Sequence, residues 1–343
     1  MSIWTPAKRA ITALNLGKPD EIPTFELEFQ LSEEFFGYPL YDNRFDKDVF
    51  CTLSDLEKEK AACDLADKYA RVYGDKTAYD IGGAALSGDE EKDSKTGLDY
   101  CIIPVYSPEW QNVDSVITKA FRRRLREHFG DTRLFGGHGD GTFAIPDGNG
   151  MYEFAYRTVD DPEGLKAEAE YYCNIAIEQN KRQKEAGLDV ALLCSDYCYN
   201  SGPFLSPEMF EEFLLPAYKK IYGFYKEHGC LIIHHNDGYA RNLVPYMVEM
   251  GIDIWQGVIP ANDIPSLIEE YAGKITFMGE IETRVLDVPT WTPELVKAEV
   301  ERACRKCGKH GFIPCQTAGM PMTCFVPYDM INAEIDRMSK EMF

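Results

Sequence analysis

Short apolar runs alternate with longer amphipathic segments along most of the chain. Runs rich in β-branched residues and bounded by glycines, such as 231–233, are typical of buried parallel strands. The segments between them carry apolar residues at helical spacing. In one of these, Ser206 as N-cap and Pro207 at the first helical position predict a helix that runs to about His228. The pattern therefore predicts an α/β fold.

Eight such strands are predicted. They lie near residues 23–29, 77–81, 133–138, 188–196, 230–236, 252–258, 275–280 and 311–316. Eight strands interleaved with helices over 343 residues predict a (β/α)8 TIM barrel, with a doubly wound open sheet as the alternative. No G-x-G-x-x-G motif follows a strand, which argues against a dinucleotide-binding fold. We expect one domain over residues 1–343, with an N-terminal helix at 4–16 and an excursion around 82–112.

An ordinary globular composition, 45% hydrophobic and 27% charged, accompanies a formal net charge of −21. Because that charge repels phosphates, we expect no nucleic-acid partner. No apolar run reaches the length of a membrane span, so we expect no membrane association and a cytoplasmic location. The 11 cysteines lack the spacing of a disulfide framework and are expected to be reduced. The oligomeric state stays open, with a homodimer as one candidate.

Potential metal ligands and proton carriers follow the carboxyl ends of the predicted strands. In a barrel these ends converge on one face, where active sites are built. The residues are Glu26, Glu28, His138, Asp196, His235, Asp237, Glu280, Glu282 and Cys315. His235, Asp237 and Cys315 together form a zinc-type ligand set that leaves one position open, as catalytic zinc requires. Acid–base chemistry by carboxylates without a metal is the alternative, and a purely structural role is a third.

Three segments resemble a known superfamily. They are Asp196-Tyr-Cys-Tyr-Asn-Ser-Gly-Pro-Phe-Leu-Ser-Pro-Glu-Met-Phe210, Pro216-Ala-Tyr218 and His235-Asn-Asp-Gly238, and they resemble the uroporphyrinogen decarboxylase superfamily. The resemblance covers most of the chain and is strongest over residues 188–282. It implies a (β/α)8 barrel and one of two main chemistries.

The first chemistry is decarboxylation. Uroporphyrinogen decarboxylases carry an arginine-rich motif in the first strand-loop region that grips the carboxylates of the substrate. Here residues 25–30 contain Glu26 and Glu28 and no arginine, and these acids would repel a polycarboxylate. A decarboxylase-like lyase acting on a tetrapyrrole or another carboxylate is therefore the alternative hypothesis. A non-catalytic barrel that binds a porphyrin or corrinoid is a weaker one.

The second chemistry is similar to that of corrinoid-dependent methyltransferases, whose zinc is bound by His-x-Cys on the fifth strand and a Cys on the last. His235 matches the histidine, Asp237 stands in place of the first cysteine, and Cys315 lies close to the second. Glu280 is a candidate fourth ligand, with Glu26 or Glu28 as alternatives. Fewer thiolates make zinc harder and suit a Lewis acid that polarises an oxygen rather than a thiol.

The resemblance thus implies an O-demethylase. Such an enzyme would move a methyl group from a small methoxylated, aromatic compound to the cobalt of cobalamin on a separate corrinoid protein, with zinc activating the ether oxygen. Asp196 and His138 would orient or protonate that oxygen. The expected substrate-binding residues are Tyr197, Tyr199, Glu26 and Glu28, although packing is the commoner role of such aromatic residues. The basic segment 122–126 is a candidate docking surface for the corrinoid protein.

Overall fold

The structure is a computed structural model. It describes residues 4–5, 8–9, 12, 18–22, 25–26, 52–75, 81–82, 116–132, 134–138, 149–185, 187–195, 197–317 and 328–342. The chain divides into two compact units, one of residues 1–11, 23–138 and 181–190 and the other of residues 12–22, 139–180 and 191–343. Most of the predicted N-terminal helix and nearly all of the predicted excursion at 82–112 lie outside the described residues. The single-domain organisation stays a prediction.

Strands occur at or beside all eight predicted positions. In the first unit β1 (Phe25–Glu26), β2 (Ile81–Gly82) and β3 (Leu134–His138) pair in that order, in parallel. After β4 (Val190–Cys194), an antiparallel hairpin of β5 (Cys198–Tyr199) and β6 (Gly202–Pro203) forms, which the sequence did not predict. In the second unit β7 (Leu231–His235), β8 (Ile254–Val258), β9 (Thr276–Ile281) and β10 (Phe312–Gln316) pair sequentially in parallel. The α/β fold with a parallel sheet is therefore confirmed.

Helices separate the strands. The α-helices of the described part are α1 (Asp55–Asp75), α2 (Val116–Phe129), α3 (Asn149–Asp160), α4 (Pro162–Glu185), α5 (Pro207–Phe213), α6 (Leu215–Glu227), α7 (Val244–Met250), α8 (Ile264–Tyr271), α9 (Thr283–Leu286), α10 (Pro293–Cys307) and α11 (Tyr328–Met342). None of the described helices has the length and apolar character needed to cross a bilayer. The helix predicted from Ser206 to His228 is instead divided at Leu214, because Pro216 has no N–H to continue the hydrogen-bond ladder.

The second unit has an apolar layer between its sheet and its last two long helices. Ile281 of β9 belongs to a buried cluster with residues of α10 and α11, including Val296, Val300 and Ile331. The backbone N–H of Ile22 donates to Ser339 Oγ at 2.9 Å, which fastens a preceding segment to α11. This packing buries Ile281 at the carboxyl end of β9 against α10 and α11.

The basic segment 122–126 on α2 is balanced by carboxylates of its own unit. Arg123 bonds Glu59 at 2.6 Å, Arg124 bonds Asp67 at 2.7 Å, and Arg126 pairs with Asp189. These ion pairs offset much of the positive charge of the segment. Its role as a docking surface for the corrinoid protein stays a prediction.

Candidate functional site

Two adjacent histidines at the end of β7 face opposite sides of the strand, as strand geometry requires. His234 is fully buried, and its Nε2 and Nδ1 lie 2.8 Å from the Tyr197 hydroxyl and 2.6 Å from the Tyr222 hydroxyl. Burial, assisted by the nearby His235, lowers the pKa of His234 to about 3. His234 is therefore a neutral, hydrogen-bonded core histidine rather than a ligand of the site.

The pH dependence of stability should reveal this histidine. The pKa of His234 is about 3 in the folded chain against an ordinary value of 6.5, so the unfolded chain binds more protons below pH 6.5. Its stabilising contribution is present above about pH 6.5 and is lost as the pH falls towards 3, by up to about 1.4 kcal/mol per unit. We expect His234→Gln to flatten this slope in denaturant-unfolding experiments on metal-free protein. The same change at the exposed His228 should leave it, and an unaltered slope in His234→Gln would contradict the assignment.

His235 is joined to Cys315 through a single buried side chain, Gln256. The Gln256 Oε1 accepts a hydrogen bond from His235 Nδ1, and the Gln256 Nε2 lies 3.8 Å from Cys315 Sγ, within reach of a bond to sulfur. Because Nδ1 carries the proton in this arrangement, the lone pair of the neutral ring lies on Nε2. Sequence analysis missed Gln256, although a glutamine inside the otherwise apolar run 254–258 is a signal of a buried amide that needs partners.

Asp237 lies on the other side of His235. Its Oδ1 is 3.9 Å from His235 Nε2. Burial raises the pKa of the Cys315 thiol to about 12, while the hydrogen bond from Gln256 opposes this rise and the charge of Asp237 adds to it. Nitrogen and oxygen donors thus lie near each other at the end of β7, and Gln256 connects His235 to the sulfur of Cys315. Within the described residues, however, no three His, Cys, Asp or Glu side chains stand close enough to form a ready metal site.

The donor set fits zinc in its chemistry. Zinc accepts imidazole nitrogen, carboxylate oxygen and thiolate sulfur, and catalytic sites use three such protein ligands. His235 has the tautomer that ligation through Nε2 needs, and its other nitrogen already bonds an outer partner, as is usual for a ligating histidine. The side chains of Asp237 and Cys315 would have to move to complete the set, because no three of the described residues form a ready metal site.

Buried amides fasten the loop that carries Asp237. Asn262 donates to the Gly238 carbonyl at 2.9 Å and accepts from the Ala240 N–H at 3.0 Å. Asn236 accepts from the Tyr197 N–H at 2.9 Å. The loop is thus held from two directions, which limits the positions open to the Asp237 carboxylate.

Gly257 gives that carboxylate its space. A Cβ at this position would lie 2.8 Å from Asp237 Oδ1, 3.1 Å from the Asn236 carbonyl oxygen and 3.2 Å from His235 Cε1. Its φ of +93° is also one that residues with side chains rarely adopt. Gly257 therefore allows β8 to pass directly beside the two candidate ligands on β7 and its loop.

The two predicted substrate-binding tyrosines occupy different environments. Tyr197 is 2% exposed, and its ring packs edge-on against Phe210 with centroids 5.0 Å apart. Tyr199 is 53% exposed and packs edge-on against Phe204 at 4.1 Å, while its carbonyl accepts from the Tyr239 N–H at 2.9 Å. Tyr197 is placed as a core residue, and only Tyr199 presents a surface that a ligand could contact.

Glu280 is turned towards α10. Its Oε1 lies 2.7 Å from both Arg302 Nη1 and Lys306 Nζ, and its carbonyl accepts from Arg302 Nη2 at 2.8 Å. The φ of Glu280 is +68°, a strained value for a residue with a side chain. Because Oε1 of this fully buried carboxylate pairs with two cations, Glu280 is not included in the proposed ligand set.

For the remaining predicted site residues, the structure describes only the backbone or does not describe the residue. Glu26 and His138 lie in β1 and at the end of β3, but their side chains lie outside the described part. Asp196 and Glu28 lie outside the described residues altogether. The roles expected for these four residues stay predictions.

Comparison with known proteins identifies a family and a structural likeness that extends along almost the whole chain. A family model described as uroporphyrinogen decarboxylase (URO-D) matches residues 147–339. A solved structure of a methyltransferase from Methanosarcina mazei has a TM-score of 0.63 at 16% identity, and the match covers 98% of each chain. The B12-independent methionine synthase from Shewanella sp. W3-18-1, in complex with selenomethionine, has a TM-score of only 0.33 at 13% identity over 66% of this chain and 64% of that one. No curated protein matches the chain. The Methanosarcina likeness shows a shared fold along almost the whole chain.

Proposed function

We propose that this chain, which belongs to the uroporphyrinogen decarboxylase family, is a zinc-dependent methyltransferase. It would take a methyl group from a small methoxylated aromatic compound and transfer it to the cobalt of a separate corrinoid protein. The observation that carries the proposal is a chain of contacts between β7 and β10, in which Gln256 bonds both His235 and Cys315, and Asp237 Oδ1 lies 3.9 Å from His235 Nε2. The similar Methanosarcina protein is itself described as a methyltransferase, which supports the same reaction class.

The proposed architecture is a closed (β/α)8 barrel in one domain. Sequential parallel pairing within each unit, and the likeness to a structure matched over 98% of both chains, support it. In such a barrel the ends of β7 and β10 would open on the face where catalytic residues lie. We also propose a cytoplasmic location, where a thiol such as Cys315 stays reduced.

The metal would be held by His235, Asp237 and Cys315. Zinc supplies a Lewis acid that offsets negative charge on the departing oxygen of the methyl donor. The part played by the protein is to keep the ligands oriented: Gln256 fixes the His235 ring, and the loop fastened by Asn262 fixes Asp237. Tyr199, half exposed beside that loop, would contact the aryl ring of the donor.

Proton handling falls to residues predicted from sequence alone. We propose that Asp196 and His138 orient the methyl-bearing oxygen and return a proton to it as the methyl group leaves. Asp196 follows β4, and the N–H of the preceding Ser195 bonds the His235 carbonyl at 3.0 Å. This backbone bond places the chain before Asp196 next to the ligand-bearing end of β7, which supports a role close to the metal.

A second function has one observation in its favour, which is the name of the matching family. A decarboxylase-like lyase would need cations to hold a polycarboxylate substrate. Two cations described near the strand ends, Arg302 and Lys306, are engaged by Glu280 instead. The first-strand segment also carries Glu26 and Glu28. We therefore place decarboxylation second.

A reaction assay separates the two functions. Zinc-loaded protein, mixed with a reduced corrinoid protein and a panel of methoxyaromatics, methanol and methylamines, should convert the cobalt spectrum to that of methyl-cobalt. The free phenol should appear in equal amount. In parallel, uroporphyrinogen should give no coproporphyrinogen at an enzymatic rate.

Each alternative result has a distinct meaning. Cobalt methylation from methanol or amines, with every aryl ether inert, would remove the aromatic donor and keep the methyltransferase. Formation of coproporphyrinogen without any cobalt methylation would overturn the proposal in favour of the decarboxylase. Heat-inactivated protein and protein dialysed against a chelator are the controls.

A further inference from the structure

We infer that Gln256 is a positioning residue that prepares His235 and Cys315 together for metal binding. The inference rests on the proposed function, because it concerns the ligands of the proposed metal. It adds a residue that sequence analysis did not identify. Its support is geometric and comes from strand register, burial and the two ends of one amide group.

Register brings Gln256 beside the histidine. Gln256 on β8 is the Cα partner of His235 on β7, so both side chains rise from the same side of the sheet. Gln256 is 1% exposed, which means that its amide cannot turn to water for hydrogen bonds. A buried amide without partners inside the protein is destabilising, because its lost bonds to water are not replaced. At this position the partners are the two candidate ligands.

The two ends of the amide perform different tasks. The oxygen can only accept, so it selects the His235 tautomer with the proton on Nδ1 and the lone pair on Nε2. The nitrogen can only donate, so it directs an N–H towards Cys315 Sγ. A thiolate bound to a metal gains from such a donor. A leucine at position 256 could neither accept from His235 nor donate to Cys315, and a glutamate could only accept from His235. Both interactions therefore require the amide group.

Charge also favours an amide over a carboxylate here. Zinc with the Asp237 carboxylate and the Cys315 thiolate would form a site of zero net charge. A carboxylate at position 256 would add a buried negative charge beside the sulfur and would lose the N–H. The neutral Gln256 orients the imidazole, as outer-sphere partners do in metalloproteins, without that added charge.

Strand β10 supplies a matched control. Gln316, directly after Cys315, is 2% exposed, and neither of its amide atoms has a hydrogen-bond partner among the described residues. Gln316→Leu therefore removes a buried glutamine from the same region without removing a bond to a ligand. Gln256→Leu removes both bonds. Gln256→Glu keeps the shape and the acceptor but removes the donor, and it serves as a second variant if the leucine variant folds poorly.

Two measurements test the inference on the full chain. The first is the zinc dissociation constant, from competition with a chromophoric chelator. We expect about a 10- to 100-fold weakening in Gln256→Leu, which is the usual cost of losing an outer-sphere partner, and less than about threefold in Gln316→Leu. The second is the tautomer of His235 in metal-free protein, from imidazole 15N chemical shifts. The Nδ1–H form should dominate in the wild type and in Gln256→Glu, and it should be lost in Gln256→Leu.

The outcomes distinguish this inference from the proposed function. Zinc affinity equal to wild type in a folded Gln256→Leu variant, or an unchanged tautomer, would overturn the role of Gln256. A wild type that binds no zinc would remove the proposed metal. The tautomer measurement would then decide by itself whether Gln256 orients His235.

Discussion

Replacing His235 with alanine should abolish zinc retention and, with it, methyl transfer to cobalt. Wild-type protein should hold about one zinc per chain through three side chains, as catalytic sites do. His235 supplies the one imidazole of the proposed set, and the loss of a direct ligand should exceed the roughly 10- to 100-fold cost of losing an outer-sphere partner. The measurement is the zinc content of protein after gel filtration in metal-free buffer.

The fold should survive this change. His235 lies at the end of β7 and is only partly buried, and its ring bonds Gln256 rather than filling the apolar core. We expect His235→Ala to unfold at a denaturant concentration close to that of the wild type. His310→Ala, the same change at an exposed turn, should keep both zinc and stability. Full activity of metal-stripped wild type would contradict the zinc mechanism regardless of the variants.

Asp237→Ala should act differently from His235→Ala. One Asp237 oxygen lies near His235 Nε2, while the side chain as a whole is 46% exposed. In the proposed mechanism the metal acts on charge that develops in the transition state, so loss of Asp237 should lower kcat more than it weakens binding of the methyl donor. This separation distinguishes a ligand of a catalytic metal from a residue that only binds substrate.

The strands could be predicted because their sequence signals are local. A run such as Leu231-Ile-Ile233 is apolar on both faces of the strand. The two faces differ in environment at the histidines that follow, since His234 is buried and His235 is partly exposed. That pattern located β7 and indicated His235 and Asp237 as candidate ligands at its carboxyl end. The division of the helix at Leu214 could also have been predicted, since Pro216 is visible in the sequence.

The sequence did not predict the role of Gln256 or the ion pairs of Glu280. The first depends on the register of two strands, and the second occurs at a residue with a positive φ. Gln256 matters because it is the Cα partner of His235 across two strands that the loop and α7 separate. Glu280 follows the same strand-end pattern as the candidate ligands, but it has a φ of +68° and pairs with Arg302. Residue types alone predict neither the register of two paired strands nor a positive φ. A prediction that counts every acidic residue at a strand end as a metal ligand therefore includes too many residues.

Gly257→Ala should damage the site more than it damages the fold. The new methyl group would stand 2.8 Å from Asp237 Oδ1, the far end of a rotatable side chain, so the carboxylate would swing away and relieve the contact. The His235 ring, 3.2 Å away at Cε1, would also have to shift. We expect zinc affinity to fall by at least the roughly 10- to 100-fold typical of misoriented ligands.

Gly273→Ala provides the control for backbone strain. Gly273 has a φ of +77°, close to the +93° of Gly257, but a Cβ there would have no neighbour within 4 Å. Both variants should lose about 1–2 kcal/mol of stability from the left-handed conformation, measured by urea unfolding. Only Gly257→Ala should lose zinc, because only there does the added carbon reach the ligands. Equal zinc affinity in the two variants would show that the Asp237 carboxylate at its present position does not bind the metal, and the ligand set would then have to be built without it.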